Sequence, residues 1–230
     1  IMRFRGKRYT ESSKTVEKTK EYGVGEAVSI VKAFKKAKFD EAVDIVMKLG
    51  VDPKHSDQLV RGSFSLPKGI GKEVKVVVFA GSDDKIEVAQ KAGAVEAGGD
   101  DLLKKVEGGW LDFDVAISTP DMMGKVGKLG RVLGPQGKMP SPKSGTVTND
   151  ILNAVKEFRE GKIEYRTDAG GNVHVPVGKV SFPNGDLVEN IESFIKHIVS
   201  NRPPAAKGTF VQKISISSSM GPGVRVILAA

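Results

Sequence analysis

The residues best suited to chemistry in this chain are few and scattered. Lysine follows glycine at Gly137-Lys138, as at the end of a P-loop. Such a loop needs glycine where Val132 stands and serine or threonine where Met139 stands. "GPGVRV" offers Gly221 and Gly223 without a third glycine or a following helix, and "AGSDDK" carries no dinucleotide fingerprint. His55, His174 and His197 lie on different elements and outside any HExxH pattern, so no metal and no cofactor is expected. His197 reads as a solvated residue on the polar side of a helix. No serine occupies a GxSxG elbow. The absence of cysteine removes thiolate nucleophiles, disulfides and cysteine metal ligands together. The residues give no enzyme; a small-molecule α/β enzyme or binder is the rival reading, and it lacks the phosphate-binding glycines.

What remains suits the binding of anions. "LGRVLGPQGKMPSPKSGTV" (129–147) holds four glycines and three prolines in 19 residues, which forbids a regular element. Arg131, Lys138 and Lys143 lie there beside backbone amides able to hydrogen-bond an anion. A loop of this length in a compact domain is usually functional or disordered. The closing stretch, "KISISSSMGPGVRVILAA", begins as a strand in which Ile214 and Ile216 alternate with Ser215 and Ser217. Three serines then meet Met220, Gly221, Pro222 and Gly223. A strand is giving up its apolar face for hydroxyls and offering a methionine on a permissive backbone.

The charge is placed to match. Of 36 lysines and arginines and 28 acids, residues 1–38 hold 11 and 4, and residues 161–230 hold 8 and 5. Residues 70–160 hold 13 and 14, so the excess of +8 belongs to the two ends. A basic surface confined to one part of a molecule is the footprint of a polyanionic partner.

Between these segments the pattern changes style twice. Ala27, Ile30, Val31 and Phe34 mark an amphipathic helix over 26–38, with Lys32, Lys35, Lys36 and Lys38 on its other face. Val43, Ile45, Met47 and Leu49 alternate as a half-buried strand, and "LVRGSFSLP" alternates again. After the flexible "PKGIGK", "VKVVVFA" is a continuous apolar run, as in a strand buried on both faces. Helices are expected at "KIEVAQKAG", "DDLLKKVEG", "PDMMGKVGKLGRVLG" and "NDILNAVKEFREGK", with strands at "AVEAGG" and "DVAIST". That alternation predicts a parallel, doubly wound α/β unit. The last third returns to the first style. "KIEYRTDAGGNVHVPVGKVSF" reads as a hairpin turning through Ala169-Gly170-Gly171-Asn172, and Leu187, Ile191, Phe194, Ile195 and Ile198 stripe a final helix.

The economical arrangement is therefore a discontinuous α+β domain from residues 1–69 and 161–230, with an α/β domain inserted over 70–160. Two chain crossings, near 69 and 161, form a double hinge. No run approaches the roughly 18 apolar residues of a membrane span, and "IMRFRGKRYTESSK" lacks the apolar core of a signal peptide, which predicts an intracellular protein.

The loop at 129–147 resembles the "LGxxLGPRGxMPNPKxGTV" signature of the large-subunit ribosomal protein one family, of the mobile stalk beside the tRNA exit site. "AKFDEAVDI", "LGVDPKHSDQLVRGSFSLPKGIGK", "GGWLDFDVAISTPDMM", "KIEYRTD", "VHVPVGKVSF", "AKGTF" and "SSSMGPGVR" resemble that family in its order. The resemblance implies a split, ferredoxin-like α+β domain that grips folded ribosomal RNA, a Rossmann-like insert adding a weaker contact, and no enzyme activity. By motif it carries RNA contact to Lys38, Phe39, Arg166, Asp168, His174, Ser219, Met220 and Gly221, with Arg131, Lys138 and Lys143 as the weaker contact of the insert. It implies stalk ribosomal RNA, exit-site tRNA and the chain's own messenger as partners, with assisted release of deacylated tRNA and translational repression. It also implies no membrane and no small-molecule substrate, in a cytoplasmic, ribosome-bound protein of bacterial type, with an organellar ribosome left open. The chain departs from the pattern at Gln136, at Ser141, and in Ser217, Ser218 and Ser219, which replace threonines and keep the hydroxyls. "AGGN" lacks the usual lysine, and "MMGKVGKLG" is slightly rearranged.

Overall fold

A computed structural model describes residues 6–17, 19–35 and 37–227. The chain is a mixed α/β protein with several sheets. Its elements run α1 (Lys7–Lys14), α2 (Val24–Ala33), β1 (Ala42–Leu49) and β2 (Arg61–Ser65). They continue with β3 (Val76–Phe79), α3 (Asp83–Lys91), β4 (Glu96–Gly98), α4 (Asp100–Glu107) and β5 (Val115–Ser118). After α5 (Met123–Val126), α6 (Gly130–Leu133) and α7 (Ile151–Glu160) come β6 (Lys162–Arg166), β7 (Asn172–Lys179), α8 (Asn184–Ser200), β8 (Val211–Ser218) and β9 (Val224–Val226). Two compact units result. One takes the described residues up to Gly71 and from Tyr165 onward; the other is Lys72–Glu164.

The first unit is built on a four-stranded antiparallel sheet of order β7-β1-β8-β9. Strand alternation sends Val43, Ile45, Met47 and Leu49 of β1 to one face. Val173, Val175 and Val177 of β7 and Ile214 and Ile216 of β8 join them, and all of these side chains are buried. Helices α2 and α8 close over this face with Ala27, Val28 and Val31, and with Leu187, Ile191, Phe194 and Ile198, also buried. Each large side chain so removed from water contributes about 1.5–3 kcal/mol. β2 and β6 pair as a separate two-stranded ladder.

The predicted hairpin is therefore corrected. The turn at 168–172 forms, with the Asp168 amide donating to Asn172 O at 2.8 Å, but β6 belongs to β2 and β7 to β1. Beyond that turn, among the described residues, the two arms meet at the isolated bridge between Thr167 and Val173. Tyr165 is buried edge-on to Phe194, 5.7 Å between ring centroids, which gives β6 its own packing partner.

Helix α2 is also shorter than its periodicity suggests. Phe34 takes extended backbone (φ −62°, ψ 150°) and is buried, leaving the helix to pack beneath the 218–221 turn. Lys35 and Lys38 consequently follow the helix instead of lining it, and Lys36 lies outside the described residues. The solvated reading of His197 is overturned as well. Its ring stacks on Phe64 at 4.4 Å and meets the Tyr165 hydroxyl at 2.9 Å, and burial lowers its pKa.

In the second unit, β4-β3-β5 is a parallel sheet. Val76 and Val78 pack on one side against α3 and α7, through Ala89, Val155 and Phe158. Val77 and Phe79 pack on the other against Leu102, Val106, Val126 and Leu133. Residues 146–148 add a short parallel edge beyond β5, with the Ser118 amide donating to Thr146 O at 2.9 Å. The segment expected as one helix at 120–134 is broken into 3₁₀ and α turns, with Gly124, Gly127 and Gly130 recurring every third residue. Glycine disfavours a continuous helix by about 1 kcal/mol per residue.

Candidate nucleic-acid interface

The face of the sheet turned away from α2 and α8 is polar because the same alternation that fills the core sends the even positions of β1 outward. Asp44 stands opposite Pro176 and Ser217, Val46 opposite His174 and Ser215, and Lys48 opposite Asn172 and Lys213. Arg225 of β9 lies beside Ser215. Burial raises the Asp44 carboxyl pKa, against the charges of His174 and Lys179.

At one end of this face the approach to β1 meets the turn after β8. The Ala42 amide donates to Ser219 Oγ at 3.1 Å, and the Ser219 amide returns a bond to Ala42 O at 3.0 Å. The Gly221 amide donates to Ser218 O at 3.1 Å. Gly221 has a packing reason to be glycine: a Cβ there would lie 2.5 Å from Ser218 Oγ and 2.9 Å from Phe34 Cδ2. Above this bonded frame Phe39 and Met220 stand 57% and 53% exposed. Lys38 is exposed beside Phe39.

Glu41 connects the two segments and is only 5% exposed. Its Oε1 accepts from the Ala37 amide at 2.8 Å and its Oε2 from the Met220 amide at 3.1 Å. Burial works against its ionisation. The Ser218 hydroxyl, those two amides and the Arg8 charge outweigh burial and hold the carboxyl below its ordinary range. Next to it, Asp40 accepts from the Ser181 amide at 3.2 Å and the Ser181 hydroxyl at 2.7 Å. Neither acid was singled out among the candidates, although one signal was available for Glu41. Counting back from Leu49, Met47, Ile45 and Val43, position 41 has inward parity.

The other end of the face lies about 20 Å away, at the roughly 3.4 Å per residue of a strand. Here Asp168 accepts from the amides of Gly170 at 2.8 Å and Asn172 at 2.7 Å and from the Asn172 side chain at 3.0 Å. His174 Nε2 stands 3.4 Å from the same carboxylate. Led by the Asn172 side chain, these donors hold Asp168 far below the usual carboxylate range. Its charge is thus engaged by its own turn. Gly171 completes that turn at φ 74°, where a side chain would be strained, and its carbonyl accepts from the Leu49 amide at 2.9 Å. Lys48 Nζ donates to Gly170 O. Arg166, on β6, is exposed.

The expected residues thus fall into groups. Lys38, Phe39, Ser219, Met220 and Gly221 share one end of the sheet. His174 projects from the mid-face and pairs with Asp168 at the other end, two residues beyond Arg166. Arg131, Lys138 and Lys143 belong to the second unit. Arg131 and Lys143 are exposed, while Lys138 Nζ donates to Leu111 O at 2.9 Å and lies 5.1 Å from the Phe113 ring centroid.

Among the described residues no three His, Asp or Glu side chains gather as a metal site, and no helix is long and apolar enough to cross a membrane. An extended polar face edged by exposed apolar side chains is the candidate binding surface. The chain belongs to the ribosomal protein L1p/L10e family, whose model matches residues 31–222. This is a family of structural RNA-binding proteins and not of enzymes. Membership makes the chain a ribosomal component that binds large-subunit ribosomal RNA.

Proposed function

We propose that the chain grips the ribosomal RNA of the mobile stalk through its terminal segments, 1–69 and 161–230, and so assists release of deacylated tRNA from the exit site. The RNA face comprises Lys38, Phe39, Arg166, Asp168, His174, Ser219, Met220 and Gly221. The insert, 70–160, adds a weaker contact through Arg131, Lys138 and Lys143. The antiparallel sheet backed by α2 and α8 supports a ferredoxin-like split domain, and the parallel β4-β3-β5 sheet with helices on both faces supports a Rossmann-like insert.

One observation carries this reading. Phe39 and Met220 stay in solvent between hydrogen-bonded neighbours, Ala37 and Asp40 about the first and Ser219 and Gly221 about the second, while Phe34 and Ser218 are buried. Apolar side chains held outward on an ordered frame suit sugar and base surfaces, and the basic terminal segments supply attraction to phosphate. The test is binding to a stalk-region ribosomal RNA fragment and to an unrelated hairpin of equal length across a salt series. The fragment is expected to remain bound at salt where the hairpin has dissociated. Parallel loss of both overturns the assignment.

The same face also recognises a stalk-like fold in the chain's own messenger and represses its translation. A gel shift is expected to favour the operon leader over random RNA, with lower affinity than for ribosomal RNA. Equal binding of leader and random RNA removes that role.

A further inference from the structure

We propose that Glu41 is a positioning residue that staples together the two turns carrying Phe39 and Met220, holding both side chains in RNA-binding geometry before RNA arrives. The inference rests on the RNA-binding reading above. Its observation is a carboxylate whose two oxygens serve two segments, one through the Ala37 amide at 2.8 Å and one, 179 residues beyond Glu41, through the Met220 amide at 3.1 Å. The Ser218 hydroxyl adds a third bond from beneath.

A buried acid next to a surface meant for phosphates is otherwise a liability. Its charge repels the ligand, and its desolvation opposes folding. The chain keeps it because two amides on separate loops need one strong, shared acceptor, and hydrogen bonds to a carboxylate are stronger than those to a neutral oxygen. Glutamate is also the right length. Its backbone is committed at the mouth of β1, where Glu41 O accepts from the Val180 amide at 2.9 Å, so only the side chain can span to both turns. Neither turn has a regular element of its own to fix it: residues 37–41 are irregular, and Met220 lies between β8 and β9. Without the staple each exposed side chain would pay its ordering entropy on binding.

The test is Glu41→Gln. The two amides approach different oxygens, so in the variant one of them faces an NH2 donor, and affinity for the stalk RNA fragment is expected to fall about tenfold, as for loss of one charge-assisted hydrogen bond. The slope of log affinity against log salt should not change, because no phosphate contact is removed. Glu41→Asp keeps the charge but falls one methylene short, and should lose affinity to a similar degree. In free protein, hydrogen exchange at the amides of Ala37 and Met220 should quicken in E41Q, while amides of the β1–β7 ladder exchange as in wild type.

Unchanged or tighter RNA binding by E41Q, or unchanged exchange at both amides, overturns the positioning role. If wild-type protein does not prefer the stalk fragment, the function proposed above fails, and the exchange measurement alone judges Glu41. Should E41Q not fold, wild-type protein supplies the answer. The amide protons of Ala37 and Met220 are expected to shift together with a single acid midpoint in NMR spectra, and separate midpoints overturn the staple.

Discussion

Two methionine-bearing turns, one in each unit, have nearly the same composition and opposite behaviour. "SSMGPG" and "GPQGKMPSPKSG" both combine glycine, proline and methionine, and the second adds lysine. Met220 stands 53% exposed, whereas Met139 packs against the buried cluster that includes Phe79, Phe113 and Leu133. Their backbones are satisfied differently. The 134–147 loop bonds to itself: the Ser141 amide donates to Thr146 Oγ1 at 2.8 Å, and Gly145 turns at φ 69°. Met139 and Lys138 fold inward, while Gln136 and Lys143 stay exposed. The Met220 amide instead donates to Glu41, far away in sequence, and Ser219 Oγ accepts from the Ala42 amide, so that turn is fixed by a distant segment while the Met220 side chain stays outside. A glycine- and proline-rich stretch thus becomes a surface or a plug according to where its amides find acceptors.

The largest test of this contrast is Met220→Asp. We expect affinity for stalk RNA to fall about a hundredfold or more, by lost apolar contact and a new repulsive charge, with a nearly unchanged melt. A mutant that binds like wild type would erase the distinction. Met139→Ala should do the reverse: unfolding of the insert costs about 1 kcal/mol less, as for a partly buried cavity, with RNA affinity within about twofold. That split is read by urea melts beside binding curves. Lys38→Ala should weaken binding about fivefold and lower the salt slope by about one, whereas Lys143→Ala, at the weaker contact of the insert, should lower the slope by much less; equal decreases would put the two segments on a par.

A pH series tests the packing of His197 in the first unit. Burial depresses the folded pKa of His197, so the unfolded chain takes up its proton first as pH falls. The stability that His197 contributes is therefore complete above the unfolded pKa of about 6.5 and is lost as pH falls through that value toward the lower folded one. Melting of the first unit should begin to fall near pH 6.5, and His197→Gln should remove that inflection; its persistence would place the titration elsewhere.

Much of this was legible in the sequence. Alternation from Val43 to Leu49 and from Ile214 to Ile216 marked the strands that carry the face, and the unbroken run before Ala80 marked the strand covered on both sides. The outward Met220 followed from hydroxyls replacing an apolar face. What escaped is decided by partners distant in the chain. The turn at 169–172 was readable, but local chemistry cannot say that Lys162–Arg166 would leave its neighbour for β2. His197 shares its surroundings with Phe64, over a hundred residues earlier, and its helical position alone suggested solvent. Lys138 reads as an anion ligand beside glycine until Leu111 and Phe113 are brought to it. Glu41 was not singled out because its partners at 218 and 220 are set by strand register.

The central place of β1 also imposes an order in time. Both of its edges are completed by strands from the far end of the sequence, Val43 meeting Gly178 on one side and Ser218 on the other. The strands of the insert find each other within residues 76–118. During synthesis the insert can close while β1 still presents two unpaired edges and the side chains of Val43, Ile45, Met47 and Leu49. Loop closure over so many residues slows folding, and exposed strand edges invite wrong partners meanwhile. The last strands to leave the ribosome therefore finish the first, and the face proposed to hold ribosomal RNA does not exist until residue 220 has been made.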